Sequence, residues 1–183
     1  MANSVSIAPA SGNAQPIRPV VDGTFINTPL DTTNFPSVSK PILVTSVAHE
    51  AAAAIYSAFN TVVPEEYFPA ICAATFGEER TTTVISSPFY APSPAGVVGG
   101  VQDARAQLEV LGTDYLWKCS GWTFARTWVN KGGSAYVGQY ELGATYPGND
   151  AIPICTESGK VCHQDDIQIV VSVTRHFSWQ INR

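Results

Sequence analysis

Residues 40–59, KPILVTSVAHEAAAAIYSAF, decide the fold class, because a strand pattern gives way to a helix pattern within this one stretch. Pro41 opens a run of apolar and β-branched residues that extends to Ser46, which is typical of a buried parallel strand. Four alanines follow at positions 51–54, and alanine has the highest helix propensity, so residues 49–59 are predicted to be helical. A strand that passes directly into a helix is the basic unit of an α/β protein.

A second strand is predicted for residues 134–142, SAYVGQYEL, and helices fill most of the chain between the two strands. A helical crossover between strands predicts that they are parallel neighbours. One helix is expected from Pro64 to Phe76, another over residues 102–110, and a third from an N-cap at Thr113 or Asp114 to Trp128, closed by the glycines at 132 and 133. Residues 80–100 are predicted to be a strand-like piece and a loop, and a last helix begins near residue 164. Two strands are too few for a domain of this size, so the sequence predicts an incomplete sheet with flanking helices.

The composition excludes several classes of function. Ten Lys and Arg against fifteen Asp and Glu give a net charge of −5, so the chain has no basic surface for nucleic acid. Hydrophobic residues make up 45% of the chain, which excludes global disorder. No run of about 18 apolar residues is present, so no membrane span is expected. The first residues have neither a basic start nor an apolar segment, and no signal peptide is expected there.

Cysteine and metal-ligating residues cluster late in the chain. Cys162, His163, Asp165 and Asp166 place four ligand side chains within five residues, but neighbouring side chains rarely converge on one ion, so neither a metal site nor a cofactor is expected. The four cysteines allow three full pairings, and they are either buried thiols or disulfides of a secreted protein. For a secreted chain, the favoured pairing closes the short loop from 155 to 162. Cys119 pairs with Cys72, with a cysteine elsewhere, or not at all.

Two residues stand where catalytic groups of α/β sheets are found, at the carboxyl ends of strands. Glu50 directly follows the first predicted strand, and His163 follows the second after a long loop. If the strands are neighbours, both side chains meet at one edge of the sheet. An ordinary loop histidine is the alternative interpretation of His163. The strained nucleophile turn Gly-X-Ser-X-Gly, the P-loop and the zinc motif His-Glu-X-X-His are all absent from the sequence.

At these residues the chain resembles the C-terminal part of the type-B carboxylesterases, the family that includes cholinesterases and fungal lipases and secreted esterases. Four stretches carry the resemblance, in the family's order and spacing. The second contains the family's catalytic acid, and the fourth is similar to the fungal form of its catalytic-histidine loop. They are PVVDGTF at 19–25, KPILVTSVAHE at 40–50, AYVGQY at 135–140 and VCHQDDI at 161–167.

The resemblance implies an α/β-hydrolase fold, with Glu50 as the carboxylate and His163 as the general base of a serine triad. The chain order of this fold is Ser, acid, His, so it places the serine and the glycine-rich oxyanion loop upstream of residue 1. The intact family enzyme acts on an ester or lipid substrate and is extracellular. The chain alone is then expected to be inactive.

The sequence departs from the family at three places. Ala51 and Gln164 stand where glycine usually follows the acid and the histidine, and resemblance ends after Val170. The expected organisation is a flexible segment at 1–16, a partial carboxylesterase domain at 17–171 and a tail at 172–183 that does not match the family and is expected to be poorly packed. The alternative function is a non-catalytic interaction module, or one half of an esterase assembled from two chains, the missing N-terminal half being its partner.

Overall fold

A small parallel sheet with helices around it forms the centre of the molecule. The structure is a computed structural model that describes residues 22–24, 38–146, 148–171 and 180–182. Strand β1 (Ile42–Val47) pairs in parallel with β4 (Ala135–Tyr140), with Ile42 opposite Ala135 and Val47 opposite Tyr140. The predicted parallel pair is confirmed, and the protein is of the α/β class.

The described residues also form six α-helices, two short antiparallel ladders and four 3-10 helices, which are Glu65–Tyr67, Pro88–Tyr90, Pro94–Gly96 and Pro153–Thr156. Strands β2 (Val97–Val98) and β3 (Val101–Gln102) form one ladder, and β5 (Gly143–Thr145) and β6 (Gln180–Asn182) form the other. The helices are α1 (Ala52–Ala58), α2 (Phe68–Phe76), α3 (Glu78–Ile85), α4 (Arg105–Thr113), α5 (Cys119–Asn130) and α6 (Asp165–Val171).

Helices α4 and α5 are one continuous rod, joined by a π-helical turn at Asp114–Lys118. The prediction of an N-cap at Thr113 or Asp114 is therefore wrong. The Thr113 hydroxyl accepts a hydrogen bond from the Ala51 amide at 3.1 Å, and the Asp114 carboxylate accepts one from the Tyr90 hydroxyl at 3.2 Å. Thr113 makes no side-chain cap bond to the turn that follows, and both residues lie inside the continuous rod, so neither starts a new helix.

The segment after Gly77 also differs from the prediction, since residues 78–85 are a helix and not a strand-like piece. Two acidic residues begin α3, where they complement the helix dipole. The hydroxyls of Thr81 and Thr82 bond to the carbonyl oxygens four residues earlier, at 2.8 and 3.3 Å. These bonds satisfy the threonine hydroxyls within the helix, although threonine has a strand propensity.

The hydrophobic core lies among helices α1, α2 and α4. Helix α5 packs across β1 and β4, and the Trp128 indole N–H donates to the Lys40 carbonyl at 3.2 Å. Thr45 on β1 donates its hydroxyl to Asp166 at 3.0 Å, which attaches α6 to the sheet. The largest cluster of buried residues is Ala51, Ile55, Phe68, Ile71, Cys72, Ala104, Leu108 and Leu111.

Both faces of the central sheet expose apolar side chains. Leu43 and Tyr136 are opposite each other in the parallel register and are 69% and 65% exposed. On the other face Val137 is exposed beside Trp122 and Val129 of α5. Apolar strands of this kind are normally covered on both faces. The sheet therefore presents the uncovered apolar surface that an incomplete sheet predicts.

The predicted N-terminal segment, residues 1–16, and most of the predicted tail lie outside the described residues. The Asp-Gly turn is described: Asp22 accepts the amide of Thr24 at 2.9 Å, and Gly23 has a φ of 75°. In the tail only residues 180–182 are described, as the strand that pairs with β5. The predictions of a flexible segment at 1–16 and of a poorly packed tail otherwise concern residues outside the described ranges.

Candidate functional site

Glu50 is held at the carboxyl end of β1, and its side chain is buried. The residue is 5% exposed, and its Oε1 atom accepts the Val47 amide at 2.9 Å. The chain turns sharply here, so the helix predicted from residue 49 begins at Ala52. Because Oε1 binds to the backbone of its own strand, the position of the second carboxylate oxygen, Oε2, is fixed.

The histidine reaches the same edge through a loop that a disulfide closes. Cys155 and Cys162 are bonded, with Cα atoms 5.6 Å apart, which confirms the predicted pairing. Cys162 also forms a parallel bridge with His49, so the loop continues the strand pairing beyond the end of β1. Cys72 and Cys119 are not bonded to each other.

The two predicted site residues are in direct contact. Nδ1 of His163 lies 2.5 Å from Oε2 of Glu50, so their predicted hydrogen-bonding proximity is confirmed. The hydrogen bond to Glu50 raises the pKa of His163 above 6.5, although partial burial of the ring opposes the shift. A catalytic role for this pair remains a proposal.

The pairing leaves one ring nitrogen for chemistry. With Glu50 bonded to Nδ1, the neutral imidazole carries its proton on Nδ1, and Nε2 has the lone pair that a general base needs. The histidine side chain is 47% exposed, so the ring is accessible. Trp117 of the π-helical turn packs beside it, with ring centroids 5.5 Å apart.

Asp165 organises the histidine loop, and it is fully buried. Its Oδ2 atom accepts the amides of Ala144 at 3.2 Å and Cys162 at 2.9 Å. Its Oδ1 atom accepts the side-chain amide of Asn149 at 3.0 Å. Burial raises the pKa of Asp165, and these three donors act in the opposite direction. The sequence marked Asp165 only as a metal-ligand type, since a loop carboxylate two residues after a histidine gives no sign of its partners.

Gln164, between His163 and Asp165, has a φ of 78°, the left-handed conformation that glycine adopts most readily. Glycine would adopt this backbone conformation with less strain than glutamine does. The backbone carbonyl of His163 accepts the Tyr146 hydroxyl at 3.2 Å. Tyr146 and Asn149 had no sequence signal other than their place in a loop rich in Gly, Pro and Asn.

The site has no cluster of metal ligands among the described residues, and one cavity lies near it. Cys162 is in a disulfide, and in the described ranges no three His, Cys, Asp or Glu side chains are arranged to hold a metal ion. A cavity of about 240 Å³ lies between the sheet and the π-helical turn. Its lining includes Val44, Ser46, Trp117, Trp122, Val137 and Gln139.

Comparisons with known proteins give one relative. The chain is 28% identical over 155 residues to the cAMP-regulated D2 protein of Dictyostelium discoideum. The match covers 82% of this chain but 26% of the relative, so the chain spans about a quarter of that protein's length. No protein-family profile matches the chain, and no solved structure matches it.

Within the described residues, no helix is both long enough and apolar enough to cross a membrane.

Proposed function

We propose that this chain is the C-terminal part of a serine carboxylic-ester hydrolase of the type-B carboxylesterase kind, with an α/β-hydrolase fold. The observation that carries the proposal is the 2.5 Å hydrogen bond between Glu50, at the carboxyl end of β1, and His163, on the loop that bridges to His49 beside it. Glu50 orients the imidazole and stabilises the imidazolium, and His163 is the general base. The nucleophilic serine and the oxyanion hole belong to polypeptide outside these 183 residues.

The proposed chemistry is acyl transfer to serine and then to water. Nε2 of His163 removes the proton from the serine hydroxyl while the serine oxygen bonds to the ester carbonyl carbon. The imidazolium then returns that proton to the departing alcohol, and the bond from carbon to the alcohol oxygen breaks. Water repeats the sequence and releases the acid. The substrate class is esters, including lipids, and the protein is extracellular, where its disulfide is stable.

The exposed sheet supports the view that further polypeptide belongs to the enzyme. Leu43 and Tyr136 occupy one face of a strand pair whose sequence is suited to burial on both sides. A single longer chain and two associated chains both satisfy this requirement. The non-catalytic interaction module would use the same surface, but it gives no reason for the Glu50–His163 bond.

Serine labelling of the native protein tests the proposal. The protein is captured from its source with antibodies to this chain and treated with a fluorophosphonate, which reacts with activated serines. We expect one labelled serine in a Gly-X-Ser-X-Gly peptide outside the 183 residues. Its presence on the same polypeptide identifies a single-chain enzyme, and its presence on a co-purified polypeptide identifies a two-chain enzyme. Absence of label, while another serine hydrolase in the extract is labelled, contradicts the proposal.

Variants of the labelled protein then test the assigned roles. His163→Gln and Glu50→Gln should each lower kcat for p-nitrophenyl butyrate by roughly 10³-fold or more, because they remove the base or its orientation. Glu79→Gln is the matched control, since Glu79 is exposed in the first turn of α3. Equal activity of all three variants would refute the triad assignment. The 183-residue chain alone should not hydrolyse the ester above background.

A further inference from the structure

His49 stands one residue before Glu50 and binds the segment that leads to His163. Its backbone N–H donates to the Val161 carbonyl at 2.9 Å, and its Nδ1 atom accepts the Val161 amide at 3.0 Å. One residue thus satisfies both backbone polar groups of Val161, which is 1% exposed. Val161 lies two positions before His163. The position of this loop determines whether His163 can form its hydrogen bond to Glu50.

A partly buried ion pair next to His49 holds the residue before Val161. Lys160 donates to both carboxylate oxygens of Glu109 on α4, at 2.6 and 2.9 Å. The Glu109 side chain is 3% exposed, so this contact is shielded from water. Because Nδ1 of His49 is an acceptor, its Nε2 atom carries the proton, and Nε2 lies 4.0 Å from Glu109.

We infer that His49 is a positioning residue of the candidate triad, an inference that rests on the proposed function. His49 holds Val161 at the end of β1 through two hydrogen bonds and thereby places His163 against Glu50. The functional pair lies on two segments that are far apart in sequence. The His49 bracket joins these segments next to both members of the pair. This role requires a hydrogen-bond acceptor on the side chain of His49, and Nδ1 is that acceptor.

The charge state of His49 makes the role testable. Burial lowers the pKa of His49 to about 4, with a further contribution from Lys160. The residue is therefore neutral where His163 titrates, and its substitution changes the geometry around His163 without removing a charge. The charged groups that face His49 are Glu109 of α4, Lys118 of the π-helical turn, Glu141 after β4 and Lys160 of the loop.

The experiment measures the pKa of His163 in the 183-residue chain by NMR of the histidine ring protons. The sequence has three histidines, so single variants assign the signals. His49→Phe keeps a ring but removes the acceptor, whereas the amide oxygen of His49→Asn replaces it. In His49→Phe we expect the pKa of His163 to fall towards 6.5, its ordinary value, and in His49→Asn we expect it to stay raised.

Other outcomes would overturn the inference. A raised pKa of His163 in His49→Phe shows that the bracket only stabilises the fold, and a lowered one in His49→Asn shows that the acceptor is not the relevant group. If His49→Phe does not fold, His49→Ala removes the same acceptor without adding bulk to the site. The pKa must then fall towards 6.5, and an unchanged pKa refutes the inference. The readout involves no ester hydrolysis, so absence of serine labelling in the native protein would refute the proposed function separately.

Discussion

The carbonyl oxygen of Lys160 lies directly against the Cα atom of Gly143, in the space where any side chain would begin. The contact joins the start of β5 to the histidine loop, and backbone atoms cannot move aside as a flexible side chain can. A glycine is therefore required at position 143 for reasons of space, without any unusual backbone conformation.

Replacement of Gly143 by alanine should consequently destabilise the fold by about 2 kcal/mol or more, because the added methyl group forces the loop away from β5. Urea unfolding measures the loss. Gly138→Ala is the matched control, since its new methyl group would meet Thr45 at an ordinary 3.9 Å. Equal losses in the two variants would show that the contact at Gly143 has no special importance.

Asp165→Asn should lower the free energy of unfolding by about 1–3 kcal/mol. The NH2 group of the new side chain would face backbone N–H groups that, in the wild type, donate to a carboxylate oxygen. The loop should also loosen, so the amide of Cys162 should exchange faster with solvent. Asp166→Asn is the control, because it makes the same change one residue later, where Asp166 accepts the Thr45 hydroxyl and the Ile167 amide but is not fully buried. Unchanged stability and exchange in Asp165→Asn would show that the buried carboxylate does not organise the loop.

The two site histidines should give opposite pH effects on stability. The folded-state pKa of His163 is raised, so its contribution is full below 6.5 and is lost as the pH rises through the folded-state value. The folded-state pKa of His49 is lowered to about 4, so the fold loses stability as the pH falls from 6.5 towards 4.

Urea unfolding from pH 4 to 8 can separate these effects. His49→Asn should remove acid sensitivity amounting to about 2–3 kcal/mol. The stability difference between the wild type and His163→Gln should be larger at pH 6 than at pH 8. A difference that grows with pH would mean that Glu50 does not favour the protonated imidazole.

Loss of the disulfide through Cys155→Ser, Cys162→Ser should lower stability by about 2–3 kcal/mol, because the unfolded chain gains the freedom of a short loop. The same variant should broaden the NMR signals of His163, since Cys162 is its neighbour. Cys119→Ser should change neither quantity, because the thiol of Cys119 is exposed and not in a disulfide. Sharp His163 signals without the disulfide would show that other contacts suffice to hold the loop.

The exposed sheet should make the 183-residue chain associate. Sedimentation should show oligomers that decrease when Leu43 and Tyr136 are replaced by serine, since uncovered apolar strands favour association. Phe89→Ser tests whether any exposed apolar residue has this effect, because Phe89 is 83% exposed away from the sheet. A monodisperse wild-type monomer with one sharp thermal transition would favour a self-sufficient interaction module.

Local patterns in the sequence predicted the parts of the fold that depend on neighbouring residues. The apolar run at 41–46 and the alanines after it predicted β1 and α1, and the acid and histidine at strand exits predicted the Glu50–His163 contact. The N-cap at Thr113 was wrong because Ala51, 62 residues earlier, supplies the hydroxyl's partner. The contacts of Asp165 and the His49 bracket likewise join distant segments, and no local pattern indicates them.

The π-helical turn at Asp114–Lys118 determines which side of the long rod faces which neighbour. A π turn holds about one residue more than an α turn, so every later side chain is rotated by about 100° from its regular α-helical position. The rod can therefore direct Leu108 and Leu111 into the helical core and Trp128 to the sheet, although no break separates them. Helical phase is thus set by a single residue: a one-residue deletion in this turn should give a regular α-helix in which the same side of α5 still faces the sheet.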